Sequence, residues 1–337
     1  MSGNVSTGDK RSTRHNLYAV ILNRIGIYAV ILLLAVVGFI VAPGSFFTFE
    51  NMRSIIQAGA LLGMAAVGIS FVTYSSNFND MSCPMIISLS GMIAVATIGM
   101  GFWVSMFFGV LTGLTIGFIN GTIIGKFRAH PIIWTLAFNF VLSGIARLVW
   151  GGTRIYPGEV AVNNPQDAEL FNNISRTSYA GIPLMVIVMV AMFIIGQLIL
   201  SKTKFGNELK VVGSNYQTAR LSGINVVRSI NIVYLISGFC ASVCGVFLAS
   251  MAQTGVFDAG DGYDFRAVTA VLLGGMTLAG GKGSLIGVFG GVISVGMLTN
   301  IMNLVGVPTF NQWFVQGLVF LFIVWLNTYS DRKLGRS

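Results

Sequence analysis

Charge is what this sequence lacks most. Only 9% of its 337 residues are Asp, Glu, Lys or Arg, whereas an ordinary soluble domain has about 25%. Hydrophobic residues make up 54% of the chain and the mean hydropathy is +0.80. So few charged residues cannot cover the surface of a water-soluble protein of this length. The composition excludes a soluble enzyme and a disordered chain, and it predicts an all-α polytopic membrane protein.

Histidine and cysteine are also scarce. His15 and His130 lie far apart, and no Ser–His–Asp grouping accompanies them, so the sequence indicates no catalytic site. Cys240 and Cys244 are four residues apart, on one face of a helix. A metal or redox pair is one interpretation, but neither a histidine nor a carboxylate is close to them, which favours small buried apolar side chains, as for Cys83. We therefore predict no metal and no cofactor in this chain.

The sequence also lacks a nucleotide-binding loop and has few ionisable residues inside its apolar stretches. Gly275–Ser284 fails the spacing of a phosphate-binding loop, because Met276 stands in place of the first glycine and Gly283 in place of the Ser or Thr that binds magnesium. A proton-coupled carrier needs ionisable groups inside the membrane. Only Arg147 clearly falls within an apolar stretch, and the sequence places Asp80 at a membrane boundary. The sequence therefore indicates no ATPase in this chain, and it counts against a proton-coupled carrier.

What the chain does have is ten apolar stretches, each a candidate for crossing a bilayer whose core needs roughly 20 helical residues. They are 25–42, 55–74, 85–100, 103–124, 132–150, 181–200, 230–252, 267–280, 284–302 and 310–326. The stretch 267–280 is short and rich in glycine, which is also typical of a half-helix or re-entrant segment. The remaining domain boundaries follow: a basic tail over 1–24, a transmembrane domain over 25–326 and a second tail over 327–337.

The cations predict the orientation of these stretches. If the N-terminus lies inside and each stretch reverses the side, fifteen of the 20 Lys and Arg residues fall on the inner side. An excess of Lys and Arg marks the cytoplasmic side of a membrane protein. Both termini are therefore predicted to be cytoplasmic, in the plasma membrane of a bacterium (the inner membrane of a Gram-negative one). The net charge of +9 does not indicate nucleic-acid binding, because the cations lie in short gaps with no interleaved aromatic run.

Two loops are longer than a turn. The outer loop, residues 151–180, is polar and is either a connector or a contact for a partner. The inner loop, residues 201–229, is predicted to contain a short helix over Gln217–Leu221 between two glycines, Gly213 and Gly223. A short amphipathic helix on the cytoplasmic side either lies on the lipid surface or inserts into a groove of a soluble partner.

Motifs in the second half of the chain resemble those of one family. Phe205-Gly206, Gly213-Ser214-Asn215 and Ala219 followed by Ser222-Gly223-Ile224 resemble the cytoplasmic-loop motif of permeases from ribose, galactose and xylose ABC importers. Residues 270–284, AVLLGGMTLAGGKGS, are similar to a second signature of that family. Asn120-Gly121 and residues 131–136, PIIWTL, match two further elements. Where the family has GxIDLSVG, residues 76–84 read SNFNDMSCP, so Asp80 and Ser82 are kept and the glycines are not.

The resemblance implies a permease subunit that forms the pathway for a sugar or a related small polar solute. It implies three partners besides the lipid bilayer: an ATPase subunit that binds ATP and magnesium, an extracytoplasmic solute-binding protein, and a second permease subunit in a homodimer or heterodimer. The alternatives are a gradient-driven carrier for a small neutral solute and a non-transporting membrane scaffold.

Three groups of candidate residues follow. The ATPase-coupling residues are Phe205, Gly206, Gly213, Asn215, Ala219, Ser222, Gly223 and Ile224. The translocation-pathway residues are Asp80, which the resemblance implies, together with Asn120, Trp134, Thr135 and Asn139, because neutral hydrogen-bonding groups beside an aromatic surface suit a sugar. The third group is Gly274, Gly275, Gly280, Gly281 and Gly283, which serve either close helix packing or a hinge for alternating access.

Overall fold

The computed structural model describes the backbone of residues 27–333 and the side chains of residues 27–325. The predicted basic tail, 1–24, lies outside the described residues. The longer helices are α1 (Ile27–Val41), α2 (Phe49–Tyr74), α3 (Cys83–Ala96), α4 (Phe102–Phe127), α5 (Pro131–Trp150), α8 (Leu184–Lys202), α11 (Val226–Ala252), α13 (Leu285–Leu304) and α14 (Thr309–Lys333). The shorter ones are α6 (Pro157–Val160), α7 (Pro165–Ile174), α9 (Lys204–Ser214), α10 (Tyr216–Leu221) and α12 (Tyr263–Leu273).

Nine of the ten apolar stretches are mainly helical where the structure describes them, and the stretch 267–280 is helical only as far as Leu273, so the prediction of a helical fold is confirmed. Six of the described helices are long and apolar enough to cross a membrane by length and composition: α2, α4, α5, α8, α11 and α13. The apolar parts of α1, α3 and α14 are shorter. In the described residues, two antiparallel strands of two residues each, Ser178–Tyr179 and Ile182–Pro183, form a short hairpin just before α8.

Helix α11 lies at the centre and packs mainly on α4, with α2 and α3 against its other sides. The contact with α4 depends on glycines spaced four residues apart along one face, Gly109, Gly113, Gly117, Gly121 and Gly125. A Cβ atom at Gly113 would overlap the carbonyl oxygen of Gly238, and one at Gly117 would overlap that of Tyr234. Small residues at this spacing allow two backbones to approach closely where lipid offers no hydrophobic drive. The two helices therefore meet backbone to backbone.

Two segments of irregular backbone interrupt the helices and contact each other. The first break, residues 75–82, joins α2 to α3, and the second break, residues 274–284, joins α12 to α13. They touch each other: the Gly281 amide donates to the Tyr74 carbonyl at 2.9 Å, and a Cβ at Gly280 would come within 2.7 Å of the Ser76 nitrogen. Non-helical backbone at membrane depth is tolerated where protein buries it or a cavity lies beside it.

The second break explains why the stretch 267–280 is the weakest of the ten. Helix α12 ends at Leu273, and its eleven residues extend about 16 Å at the α-helical rise, well short of a hydrocarbon core of about 30 Å. The rest of the stretch is irregular. At the C-terminus the helix continues past the predicted boundary at residue 326, because α14 extends to Lys333.

The three cysteines are free and buried. The Cys244 thiol donates to the Leu61 carbonyl at 3.2 Å, between α11 and α2. Burial of this kind agrees with small apolar side chains that pack helices together.

We expect a membrane-impermeant maleimide to leave all three thiols unmodified in the folded protein, because the reagent cannot reach buried sulfur atoms. Intact mass spectrometry before and after denaturation in dodecyl sulfate measures this, and three labels are expected only after denaturation. Rapid labelling of Cys240 or Cys244 in the native protein would contradict the helix packing described here.

Candidate functional site

The loop for which the sequence predicts ATPase coupling on the inner side, residues 201–229 and hereafter the coupling segment, is folded. Helix α9 begins after Thr203, whose hydroxyl accepts from the Gly206 amide, and α10 begins after Asn215, whose side chain accepts from the Thr218 amide at 2.9 Å. Such side-chain caps satisfy amides that have no partner within the helix. The predicted helix over Gln217–Leu221 is confirmed as α10, one residue longer at its start. The sequence did not indicate α9.

The Ser222-Gly223-Ile224 motif ends α10 with a Schellman cap. The Ile224 amide donates to the Ala219 carbonyl and the Gly223 amide to the Arg220 carbonyl, each at 3.1 Å. Gly223 has φ +75°, a left-handed conformation that glycine adopts at little cost. Ala219, within α10, is fully buried and faces the rest of the protein. The cap and this buried side chain therefore hold one face of α10 against the protein, and the opposite face points outward.

The outward face of α10 carries an exposed apolar side chain. Leu221 is 89% exposed, while Gln217, Thr218 and Arg220 beside it are also exposed. Ala219 and Ile224 hold the opposite side against the core. The helix therefore presents one leucine with polar neighbours, which is a form that fits either an interfacial lipid layer or a groove on a partner.

Gly213 connects the coupling segment to both breaks. A Cβ atom there would overlap the carbonyl oxygen of Tyr74, at the end of α2, and would lie 2.7 Å from the Gly281 nitrogen. Both obstacles are backbone atoms, which cannot move aside as the tip of a side chain can. Because Tyr74 also accepts from Gly281, three backbone segments meet at this point. We call it the Gly213 junction.

The glycines of the second break are required for two different reasons, a left-handed backbone conformation and a close approach between backbones. Gly275, Gly280, Gly281 and Gly283 have φ between +67° and +126°, where side chains other than glycine are strained. Gly274 instead allows close approach, because its Cβ would lie 2.5 Å from the Val288 Cα in α13. The candidate glycines therefore shape an irregular segment packed tightly against α13 and α9.

Asp80, in the first break, is fully buried and centres a polar network. Its Oδ1 accepts from the Ser82 amide at 3.0 Å and from the Ser82 hydroxyl at 2.6 Å. Its Oδ2 accepts from the Ser237 hydroxyl of α11 at 3.2 Å. No cationic nitrogen lies within 4 Å of this carboxylate among the described residues. Hydroxyl and amide donors thus stabilise Asp80 without an ion pair.

Two further candidate residues extend the same network. The side-chain amide nitrogen of Asn120, in α4, donates to the Ser82 hydroxyl at 2.8 Å. The Trp134 indole of α5 donates to the side-chain oxygen Oδ1 of Asn120 at 3.0 Å. The ring of Trp134 stacks on Phe138, with centroids 5.5 Å apart. The chain Trp134–Asn120–Ser82–Asp80–Ser237, hereafter the Asp80 network, joins α5, α4, the first break and α11.

The other two pathway candidates lie on α5 beside this network. The Thr135 hydroxyl is buried, accepts from the Met81 amide at 3.1 Å and donates to the Pro131 carbonyl at 2.9 Å. Asn139 is not part of the network, and its buried Oδ1 has no hydrogen-bond partner among the described residues. The structure therefore brings four of the five candidates together and leaves Asn139 one helical turn away.

Asp80 lies beside the middle of a long helix, α11. Its partner Ser237 is about 16 Å along α11 from the first residue of that helix, near the middle of its length. The sequence places Asp80 at a membrane boundary because only apolar stretches reveal depth, and the first break folds back beside α11. The contact between α4 and α11, next to this network, does have a signal in the sequence. The five glycines of α4 occur at every fourth residue, and the sequence analysis did not use them.

The outer loop is also folded onto the bundle. Ser250, near the end of α11, accepts from the Ser175 amide and donates to the Phe171 carbonyl of α7. The loop between α11 and α12 lies near Arg147 of α5, whose guanidinium is over the Phe257 ring, 5.0 Å from its centroid. In the same loop, burial raises the pKa of Asp261 above its usual range. The nearby charge of Asp258 raises this pKa further, and the charge of Arg147 lowers it.

Comparisons with known proteins agree with this architecture. A family model described as "Branched-chain amino acid transport system / permease component" matches residues 51–324. The ribose import permease protein RbsC of Escherichia coli K12 is 31% identical over 313 residues, which cover 92% of this chain and 95% of the relative. RbsC of Bacillus subtilis is 31% identical over 93% of this chain and 94% of the relative. The L-arabinose permease AraH of Escherichia coli K12 is 30% identical over 86% and 85%.

This match decides between the functions that the sequence left open. A chain that such permeases match over most of their length is neither a gradient-driven carrier nor a scaffold, and ATP hydrolysis resides in a partner subunit rather than in this chain. The helical bundle, the coupling segment and the similarity lead to one conclusion: the chain belongs to the family of membrane permease components of ABC importers.

Proposed function

We propose that this permease imports a small neutral sugar, with a pentose as the first candidate. Two observations support the proposal. The relatives are named for ribose and L-arabinose, and the Asp80 network combines hydrogen-bonding groups with the stacked rings of Trp134 and Phe138. Hydroxyl groups of a sugar need donors and acceptors, and its C–H face packs on aromatic rings.

The proposed orientation places both termini and the coupling segment in the cytoplasm of a bacterium, at the plasma membrane. It rests on the fifteen Lys and Arg residues of the inner segments. In this proposal the chain crosses the membrane ten times, and α3 and α12 complete their crossings through the two breaks. The domain boundaries stay as predicted: tails over 1–24 and 327–337 around a transmembrane domain over 25–326.

The proposed partners are an ATPase, an extracytoplasmic binding protein and a second permease subunit. The exposed face of α10 is the docking element for the ATPase, which also binds the ATP and magnesium that this chain does not hold. The folded outer loop, 151–180, receives the binding protein. Helix α5 faces the second permease, since only Thr135, Leu142 and Ala146 of its twenty residues are buried within this chain.

The proposed mechanism is alternating access. Trp134 is partly buried and the other four residues of the Asp80 network are fully buried, so in this proposal the network closes the pathway between α4, α5 and α11. Closure of the two ATPase subunits moves α10 and α9, and the Gly213 junction passes the movement to both breaks. The second-break glycines allow the hinge movement, and displacement of the first break opens the network.

The single observation that carries the proposed docking of the ATPase is Leu221, an apolar side chain 89% exposed on a capped helix. We expect Leu221→Asp to reduce co-purification of the ATPase by about tenfold or more, because burial of a leucine contributes about 1.5–3 kcal/mol and a buried carboxylate opposes binding. Affinity purification of the tagged chain from its native membrane, with quantitative mass spectrometry, measures this.

The matched control is Val162→Asp, which places the same charge on an exposed apolar position of the outer loop. It is expected to leave ATPase recovery unchanged. If wild-type protein brings no ATPase with it, or if Leu221→Asp recovers as much as wild type, α10 is not the docking element. Uptake of labelled ribose and arabinose by the recovered complex in vesicles then tests the choice of solute.

A further inference from the structure

A cavity of about 280 Å³ opens at the inner ends of three helices, beside the coupling segment. Ile124 of α4 and Ile230 of α11 form an apolar wall. Arg128, in the α4–α5 loop, and Tyr216, the first residue of α10, form a polar wall opposite, and Pro131 begins α5 at the rim. None of these five residues is among the candidate pathway or coupling residues.

The polar wall has the chemistry of an anion site. The Arg128 guanidinium lies over the Tyr216 ring, 5.2 Å from its centroid. A guanidinium that stacks on a ring keeps the N–H groups at its edge available for two parallel hydrogen bonds to oxygen atoms. No carboxylate lies within 4 Å of Arg128 in the described part of the chain. Its charge is therefore free to pair with an external anion.

The start of α5 adds to the same wall. His130 precedes Pro131 and makes no side-chain hydrogen bond to the first turn of α5, so the amides of that turn have no cap. Free amides and the helix dipole favour negative charge at a helix start. The attraction of an anion to the start of α5 adds to its attraction to the Arg128 guanidinium. The helix start alone would not define a binding site. The apolar wall of Ile124 and Ile230 then accommodates uncharged groups attached to the anion.

We propose that this cavity binds a phosphate group, with the phosphate oxygens on Arg128 and the attached groups between Ile124 and Ile230. Basic pockets between transmembrane helices on the cytoplasmic side are typical binding sites of anionic lipid headgroups, and free inorganic phosphate has the same chemistry. From the proposed function this inference takes only the inward orientation of the cavity. Because Tyr216 belongs to α10, an occupant that holds Arg128 also restrains the coupling segment.

Native mass spectrometry of the purified full-length protein tests the site without any transport step. The protein is titrated with dioleoyl phosphatidylglycerol or with dioleoyl phosphatidylcholine in a neutral detergent. We expect the wild-type protein to retain one phosphatidylglycerol molecule that Arg128→Gln binds about tenfold more weakly, as loss of a hydrogen bond between charged groups predicts. Arg128 is exposed, so the substitution is not expected to prevent folding.

Lys126→Gln is the matched control, since it removes one positive charge two residues from Arg128, in the last turn of α4. Lys126 lies over the Phe127 ring and does not line the cavity. It is expected to bind within about twofold of wild type. Equal losses in the two variants, or no loss in Arg128→Gln, would overturn the proposal. Millimolar inorganic phosphate that displaces phosphatidylglycerol would identify free phosphate as an occupant, and phosphatidylglycerol that resists displacement would identify the lipid headgroup.

Discussion

Substitution of leucine for Gly213 is expected to abolish ATP-driven solute uptake while the ATPase remains bound. The added side chain would overlap the Tyr74 carbonyl, which is backbone and cannot rotate away. It would also displace the Gly281 amide from its hydrogen bond to Tyr74. Because α10 keeps its own cap and exposed face, docking survives and transmission to the two breaks is lost. Uptake into vesicles and ATPase recovery, measured on one preparation, separate these two effects.

Gly223→Ala is the informative control for Gly213→Leu, because both glycines lie in the coupling segment and differ in what surrounds them. No atom lies within 4 Å of a Cβ built at Gly223, whose φ is +75°. Alanine there has space and incurs only the strain of a left-handed conformation, about 1–2 kcal/mol. A modest loss of uptake is expected. Normal uptake by Gly213→Leu would show that the junction does not transmit movement.

Substitution of alanine for Asp80 is expected to destabilise the protein by about 3 kcal/mol or more. The change leaves the Ser82 amide, the Ser82 hydroxyl and the Ser237 hydroxyl without their acceptor in a fully buried site. Each buried donor without a partner costs about 1–3 kcal/mol. Thermal unfolding in detergent, followed by circular dichroism, measures the change. An unchanged midpoint would mean that the network contributes nothing to stability.

Asp80→Asn separates the structural role of this residue from its role in transport. The amide oxygen still accepts from Ser82, and the Ser237 hydroxyl can rotate to accept from the amide nitrogen, so nearly wild-type stability is expected. If the folded variant loses uptake, the negative charge of Asp80 acts in the pathway. If uptake persists, Asp80 serves only to hold the first break against α11, and the proposed pathway role of Asp80 is wrong.

The sequence was sufficient for the elements whose signals are local. Apolar stretches identified the helices, and Gly213 and Gly223 marked the two sides of α10, since both signals depend on neighbouring residues. The Asp80 network was not predictable as a network, because Asp80 and Ser237 are 157 residues apart. Composition cannot show that a non-helical segment returns to the middle of another helix, so the position of Asp80 beside the middle of α11 was not predictable from the apolar stretches.

Helix α9 illustrates a second limit. Its sequence, KFGNELKVVGS, has two glycines and few apolar residues, so propensity alone does not favour a helix. Leu209 and Val212 are nevertheless buried against the bundle, and tertiary packing of this kind stabilises helices that propensity leaves marginal. The family motif predicts a coupling role for the segment, but only the structure reveals that Gly213 contacts the end of α2, just before the first break, and Gly281 of the second break.

The glycine face of α4 determines which parts of this molecule can move independently. Helices that pack through side chains can move relative to each other when those side chains change rotamer. Gly113, Gly117 and Gly238 have no side chain, and their closest contacts are with backbone atoms of the facing helix. Helices α4 and α11 are therefore expected to behave as one rigid body throughout a transport cycle. Any relative displacement must occur at α5, which has few buried side chains, and at the two breaks, where the backbone is not held by helical hydrogen bonds.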